Sequence, residues 1–218
     1  MAPAIIFDLD GTLMDTLDDL CLSTNHALRA CGMSERTMDE VRSFVGNGIG
    51  MLIHRAVPEG TSTQAEAECL ARFRAHYVEH CQDHTRLYPG IRELLEELKW
   101  RHIPMAIVSN KLQAGVSELA ERWFGNTIQV AIGEREGIRR KPAPDMVNLA
   151  IDALGVRKED CIYVGDSDVD LATAQNAGIP CISVLWGFRN RDFLLAHGAT
   201  TFAAHPREIT DMIQQITT

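Results

Sequence analysis

The 218-residue sequence predicts an α/β protein, a doubly wound parallel sheet with a small helical insert. Two observations carry this expectation. Short apolar runs recur with helical stretches between them, the pattern of buried parallel strands and their crossover helices. One long segment, residues 16–82, breaks that alternation and reads as helical throughout.

The apolar runs are Ala4 to Phe7, Met105 to Val108, Ile128 to Ile132, Cys161 to Val164 and Cys181 to Val184. Between and after them lie three stripes spaced i, i+3, i+4, i+7: Ile91, Leu94, Leu95 and Leu98; Val147, Ala150, Ile151 and Leu154; Ile209, Met212, Ile213 and Ile216. Each is one face of an amphipathic helix. The alternation implies a Rossmann-like sheet with helices on both faces and functional groups at the carboxyl ends of the strands. In the insert, helices are expected over Asp15 to Cys31, Thr37 to Phe44, Gly48 to Val57 and Ser62 to Cys81. They are separated by breaks at Gly32, Gly46-Asn47-Gly48 and Pro58-Glu59-Gly60. The expected organisation is a discontinuous core of residues 1–15 and 83–218 carrying a helical domain at 16–82.

Composition bounds the function. With 45% hydrophobic and 23% charged residues the chain is neither disordered nor fibrous. A formal net charge of −9 disfavours nucleic acid and anionic membranes as partners. No run of about 18 apolar residues is available to span a bilayer, and no signal peptide is expected from Met1 to Asp8. Six cysteines, scattered without a C-x-x-C pair, read as reduced thiols in a cytoplasmic protein.

Acidic residues gather where strands end. The first strand runs into Asp8-Leu9-Asp10-Gly11-Thr12, two carboxylates two residues apart on extended backbone, so both can point to one side. Gly11 allows a sharp exit from the strand. The second strand runs into Ser109-Asn110-Lys111, which alone reads as turn or cap chemistry. Lys141, with Pro142 stiffening the chain after it, is a candidate fixed cation; Arg139 and Arg140 read as a solvated face. The fourth strand runs into Gly165-Asp166-Ser167-Asp168-Val169-Asp170. Three crowded carboxylates repel one another unless a cation sits among them, and carboxylate oxygens with waters are what Mg²⁺ takes. A helix dipole accounts for one of them, Asp168.

In chain order these segments resemble the four motifs of the haloacid dehalogenase superfamily of phosphatases: D-x-D-G-T at Asp8 to Thr12, Ser109-Asn110, Lys141-Pro142, and G-D-x-x-x-D at Gly165 to Asp170. The insert after the first motif is similar to that superfamily's helical cap of the first type. The resemblance implies Asp8 as nucleophile and Asp10 as general acid and base. It implies Mg²⁺ held by Asp8, the carbonyl oxygen of Asp10 and Asp166, with Asp170 orienting its shell. Thr12, Ser109, Asn110 and Lys141 would bind phosphate. An acid at Asp10 separates phosphatases from the superfamily's dehalogenases, which have no alkoxide to protonate. The pair Asp15-Thr16 resembles the hinge of capped members, where closure excludes water.

The cap loop Val45-Gly46-Asn47-Gly48, with Leu185-Trp186-Gly187-Phe188 downstream, is similar to phosphoglycolate phosphatases. This implies 2-phosphoglycolate as substrate, with Arg42, Asn47, His54 and Arg55 available to recognise it. Alternatives on the same core are a sugar-phosphate phosphatase, a β-phosphoglucomutase-like mutase, a pyrophosphatase or a nucleotidase; from another class, an inert phosphometabolite-binding module. The partner expected is a small phosphorylated metabolite, and the protein a monomer or homodimer. His76, His80 and His84, four residues apart, read as the polar face of a cap helix rather than a zinc site. Trp100, Trp123 and Trp186 read as core or helix-end packing.

Overall fold

The apolar tetrapeptide Ala4–Phe7 forms strand β1, and all four of its residues are buried. Since successive side chains point to opposite faces, a strand buried at every position needs cover on both sides. The computed structural model, which describes residues 3–125 and 127–216, supplies it. β1 pairs in parallel with β4 (Met105–Leu112) on one side and β6 (Cys161–Gly165) on the other. Adding β5 (Val130–Glu134), β7 (Cys181–Val184) and β8 (Phe202–Ala203) gives a six-stranded parallel sheet in the order β5-β4-β1-β6-β7-β8. On one face Ala4, Ile6, Ala106, Val108, Cys161 and Tyr163 pack with residues of α7 (Asp145–Leu154) and α8 (Asp168–Ala177). Helix α5 (Ile91–Trp100) packs against α10 (Pro206–Ile216).

The expected stripes are realised. Ile91, Leu94, Leu95 and Leu98 are buried on α5, as are Val147, Ala150 and Ile151 on α7 and Ile209 and Ile213 on α10. The side chain of Ile216 lies outside the described residues. Two strands differ from expectation. β4 runs on through Ser109, Asn110 and Lys111 to Leu112, so these residues are extended rather than in a turn. β5 begins two residues later than Ile128; Ile128 is buried ahead of the strand, where Gln129 N–H donates to the Met105 carbonyl at 3.2 Å. Short elements absent from the sequence reading also appear: α6 (Gln113–Leu119), continued by a π-helical turn over Ala120–Phe124, and α9 (Arg191–Ala196).

The chain divides into two compact units, one of residues 1–13 and 87–218 that holds the sheet, and one of residues 14–86. The second unit is mainly helical. It contains β2 (Met14–Asp15), α1 (Leu17–Ala30), α2 (Met38–Phe44), α3 (Gly48–Ala56) and α4 (Thr63–His80), and β3 (Arg86–Leu87) pairs with β2 at its end. The helix starts follow from local chemistry: Thr37 and Glu40 form a reciprocal capping box on α2, and Ser62 Oγ accepts from Ala65 N–H on α4. Asp19 is buried in α1 and accepts from the backbone N–H groups of His84 (3.0 Å) and Thr85 (2.9 Å) and from the Thr85 hydroxyl (2.8 Å). It thereby ties the segment after α4 to α1.

Asp19→Ala leaves those donors without their acceptor, and unfolding in urea should show a loss of about 2–3 kcal/mol. Asp19→Asn keeps an acceptor oxygen and should lose less.

Candidate active site

Parallel strands release their carboxyl ends at one edge of the sheet, and the site is built there from β1, β4 and β6 with the loop that carries Lys141. Asp8 follows β1 directly, its N–H donating to the Val164 carbonyl of β6 at 2.9 Å. After Asp10 the chain turns sharply, with Leu13 N–H donating to the Leu9 carbonyl at 3.0 Å. Gly11 has φ +91, and a Cβ there would lie 2.5 Å from Asp166 Oδ2, so glycine is required for both conformation and space.

The centre of the site is an ammonium. Lys141 Nζ lies 2.7 Å from Asp8 Oδ1, 2.8 Å from Asp170 Oδ1 and 3.2 Å from the Tyr163 hydroxyl, with the lysine only 3% exposed. Burial alone would lower its pKa, but Asp170, Asp8 and Tyr163 together hold it well above the ordinary lysine value. Its backbone is held as firmly: Lys141 N–H donates to Asn110 Oδ1 at 2.8 Å, and Asn110 Nδ2 donates to the Lys141 carbonyl at 3.1 Å.

Asp170 is the most heavily bonded carboxylate. Oδ1 accepts from Lys141 and from the Tyr163 hydroxyl (3.1 Å); Oδ2 accepts from Asp166 N–H (3.2 Å), Ser167 N–H (3.1 Å) and Ser167 Oγ (2.6 Å). Ser167 and Asp170 form the capping box that starts α8. Asp166 accepts from Phe188 N–H at 2.7 Å on Oδ2 and from the Thr12 hydroxyl at 3.4 Å on Oδ1.

One carboxylate oxygen from each of Asp8, Asp166 and Asp170 lies within 4.8 Å of the others, the sole converging set of potential metal ligands among the described residues. Three buried carboxylates against one ammonium leave a formal excess of two negative charges, and the groups register it. Burial pushes the Asp8 carboxyl well above the ordinary carboxylate range, with Asp170 adding to the effect and Lys141 opposing it. Burial, then Asp170, pushes Asp166 up to about 7, with the Phe188 N–H pulling the other way. A divalent cation with hard oxygen preference fits this donor set in charge and chemistry. Asp10 is outside the cluster; its carboxylate meets Lys111 Nζ at 3.4 Å, both side chains being mostly buried.

Two of the residues assigned to phosphate binding make further contacts in this geometry. The Asn110 amide takes the backbone of Lys141, and the Thr12 hydroxyl faces Asp166. Ser109 is buried, with its Oγ accepting from Lys111 N–H at 3.1 Å. Sequence reasoning gave no site role to Tyr163, nor to Lys111, Ser167 and Phe188 although they lie in quoted segments. Only Ser167 had a local signal, the S-x-x-D cap; Tyr163 reads as core within an apolar strand. Trp186 is partly buried, its Nε1–H donating to the Thr12 carbonyl at 2.9 Å, whereas Trp100 is 79% exposed.

In the helical unit, the four proposed specificity residues all have partners within that unit. Arg55 donates to the Phe44 carbonyl (2.8 Å) and to Asn47 Oδ1 (2.9 Å), so these two fasten the turn between α2 and α3. Arg42 pairs with Asp39 and His54 with Glu66. His84 lies beyond the end of α4, and His26, His76 and His80 form a stack with centroids 4.0 and 4.3 Å apart.

The haloacid dehalogenase-like hydrolase profile matches residues 5–184, most of the chain and all four strand-end segments. The chain belongs to this family. It is 36% identical over 197 residues to the phosphoglycolate phosphatase of Rhodobacter capsulatus, covering 87% of each, and 31% identical over 196 residues to that of Chromobacterium violaceum, covering 88% of each. A crystal structure from Lactobacillus delbrueckii subsp. bulgaricus superposes with a TM-score of 0.93 at 34% identity, covering 97% of this chain and 98% of that one. A haloacid dehalogenase-like hydrolase from Streptococcus pneumoniae, 24% identical with a TM-score of 0.87 and 98% and 99% coverage, shares the fold. Among the described residues no helix is long and apolar enough to cross a membrane.

Lys141→Met in this hydrolase should cost about 3–5 kcal/mol at pH 8, because it leaves buried carboxylates uncompensated. A carboxyl whose folded-state pKa exceeds its unfolded value loses stability as pH rises from the unfolded toward the folded value. For Asp166 that window runs from about 4 to about 7, so the deficit of the variant should narrow on going from pH 8 to pH 5. Urea unfolding in a chelating buffer at both pH values measures it.

Proposed function

We propose that this hydrolase is a Mg²⁺-dependent phosphatase that cleaves a small phosphate monoester through an aspartyl-phosphate, with 2-phosphoglycolate as the leading substrate. The observation that carries the reading is the Asp8 carboxylate at a strand end, with the Lys141 ammonium on one of its oxygens and Asp166 and Asp170 beside it. Such an arrangement suits a nucleophile approached by a phosphoryl group whose charge needs balancing. The relatives in Rhodobacter and Chromobacterium support the substrate class.

The side chains divide the work as follows. Asp8 attacks phosphorus in line and displaces the alkoxide, forming an acyl phosphate that water later opens. Asp10 gives a proton to the leaving oxygen and afterwards takes one from the attacking water; Lys111, 3.4 Å from its Oδ1, steadies the carboxylate. Ser109, Lys141 and the N–H groups of Leu9, Asp10 and Gly11 would meet the non-bridging oxygens, while Thr12 N–H is taken up by the Leu9 carbonyl. Asn110 serves by fixing Lys141, and Asp170 by fixing both Lys141 and the start of α8. Asp8, Asp166 and the carbonyl oxygen of Asp10 would hold Mg²⁺, which when bound would offset the excess negative charge and screen the carboxylate nucleophile from phosphate. The helical unit is read as the cap that selects small substrates and excludes water.

Phosphate release from a panel of small phosphate esters, pyrophosphate and nucleotides should rank 2-phosphoglycolate first and should cease in EDTA, returning with Mg²⁺. Asp8→Asn should lower kcat by about 10³-fold or more, and Asp10→Ala by about 10²- to 10⁴-fold. Absence of turnover across the panel, or full activity of Asp8→Asn, overturns the mechanism. Conversion of a sugar phosphate into its isomer without phosphate release points instead to a mutase.

A further inference from the structure

The loop after β7 makes contacts that the proposed chemistry does not use. Its start is fixed by Leu185 N–H, which donates to the Ala203 carbonyl at 3.0 Å. Trp186 Nε1–H then reaches the Thr12 carbonyl at 2.9 Å, and Phe188 N–H reaches Asp166 Oδ2 at 2.7 Å. Thr12, held by the indole, points its own hydroxyl at Asp166 Oδ1, 3.4 Å away. Both oxygens of Asp166 therefore receive a donor, one from each of two loops, and the indole N–H joins those loops.

The space between them admits no side chain at the intervening position. A Cβ on Gly187 would run into the Asp166 side chain and the Gly11 carbonyl, and one on Gly11 would run into the Asp166 carboxylate as well. Phe188 is buried and anchors the end of the loop. An ionised carboxylate has about four lone-pair directions; fixing one on each oxygen fixes where the remaining ones point.

We propose that residues 186–188 are a positioning strap for Asp166, and that the Trp186 indole N–H sets how tightly this site binds a divalent cation. The inference rests on the metal role given to Asp166 above. Trp186 touches neither substrate nor reacting atoms; it acts by holding the turn that carries Thr12 against the loop that carries Phe188. Partners of this kind, one bond removed from a metal, typically alter affinity by about 10- to 100-fold.

The test uses the intact protein without substrate. Mg²⁺ affinity is read from the rise of Tm along a MgCl₂ series and checked by calorimetric titration, for wild type, Trp186→Phe and Asp166→Asn. Trp186→Phe keeps an aromatic ring but removes the N–H donor together with part of the indole's volume. It should raise the Kd for Mg²⁺ by about 10-fold or more with little change of the metal-free Tm, while its kcat at saturating Mg²⁺ approaches that of wild type. Gly187→Ala should weaken binding further, and the Phe variant decides the matter if the alanine variant does not fold. Wild-type affinity in Trp186→Phe, with binding lost in Asp166→Asn, overturns the strap alone. No Mg²⁺ response in the wild type overturns the metal reading itself.

Discussion

The buried ammonium of Lys141 is the constraint around which the site is organised. Asp8, Asp166 and Asp170 come together because three separate strand-end or helix-start positions converge, and none of the three lies far enough out to be stabilised by bulk water. Without a cation in their midst the cluster would repel itself apart or take up protons. Lys141 meets two of the three carboxylates directly, and Asn110 grips its backbone from both sides, so the ammonium has little freedom to retreat. One lysine nevertheless offsets only one charge. The remaining excess of two negative charges is what a doubly charged ion would offset.

The sheet order is what makes that convergence possible. β1 lies between β4 and β6, so Asp8 and Asp166, which follow β1 and β6, and Ser109, within β4, come from three neighbouring strands, roughly 5 Å apart strand to strand. A different order would separate the residues without altering a single motif. The start of α8 adds a second economy of placement. Asp170 is at once the capping partner of Ser167, the acceptor for the Asp166 amide and the counter-ion of Lys141, so helix initiation and site assembly are one event.

Much of this was legible before any coordinates. Asp8, Asp10, Asp166 and Asp170 announce themselves because acidic residues rarely cluster directly after apolar runs, and the stripes on α5 and α7 follow from period alone. The parts that were not legible depend on partners distant in sequence. Asn110 reads as turn chemistry because its binding of the Lys141 backbone spans 31 positions, and β4 continues past Val108 because β5 offers it a neighbour, which a local pattern does not reveal. Lys111 looks like an ordinary surface lysine until the fold sets it beside Asp10. Arg55 and Asn47 were legible as polar groups of the cap loop, but not as partners of one another.

Trp186 shows the same limit in its sharpest form. An indole beside a glycine after a short apolar strand reads as packing, yet its one polar atom connects the two loops that donate to Asp166. The Asp166 carboxylate lies outside the capping box that starts α8, which Ser167 and Asp170 form between them, and it accepts instead from Phe188 N–H and the Thr12 hydroxyl. Its orientation must therefore come from outside its own loop. Where a cluster of carboxylates can offer oxygens to a cation, the groups that aim an oxygen matter along with the residue that bears it, and the donors to Asp166 come from the loop after β7 and the turn after β1.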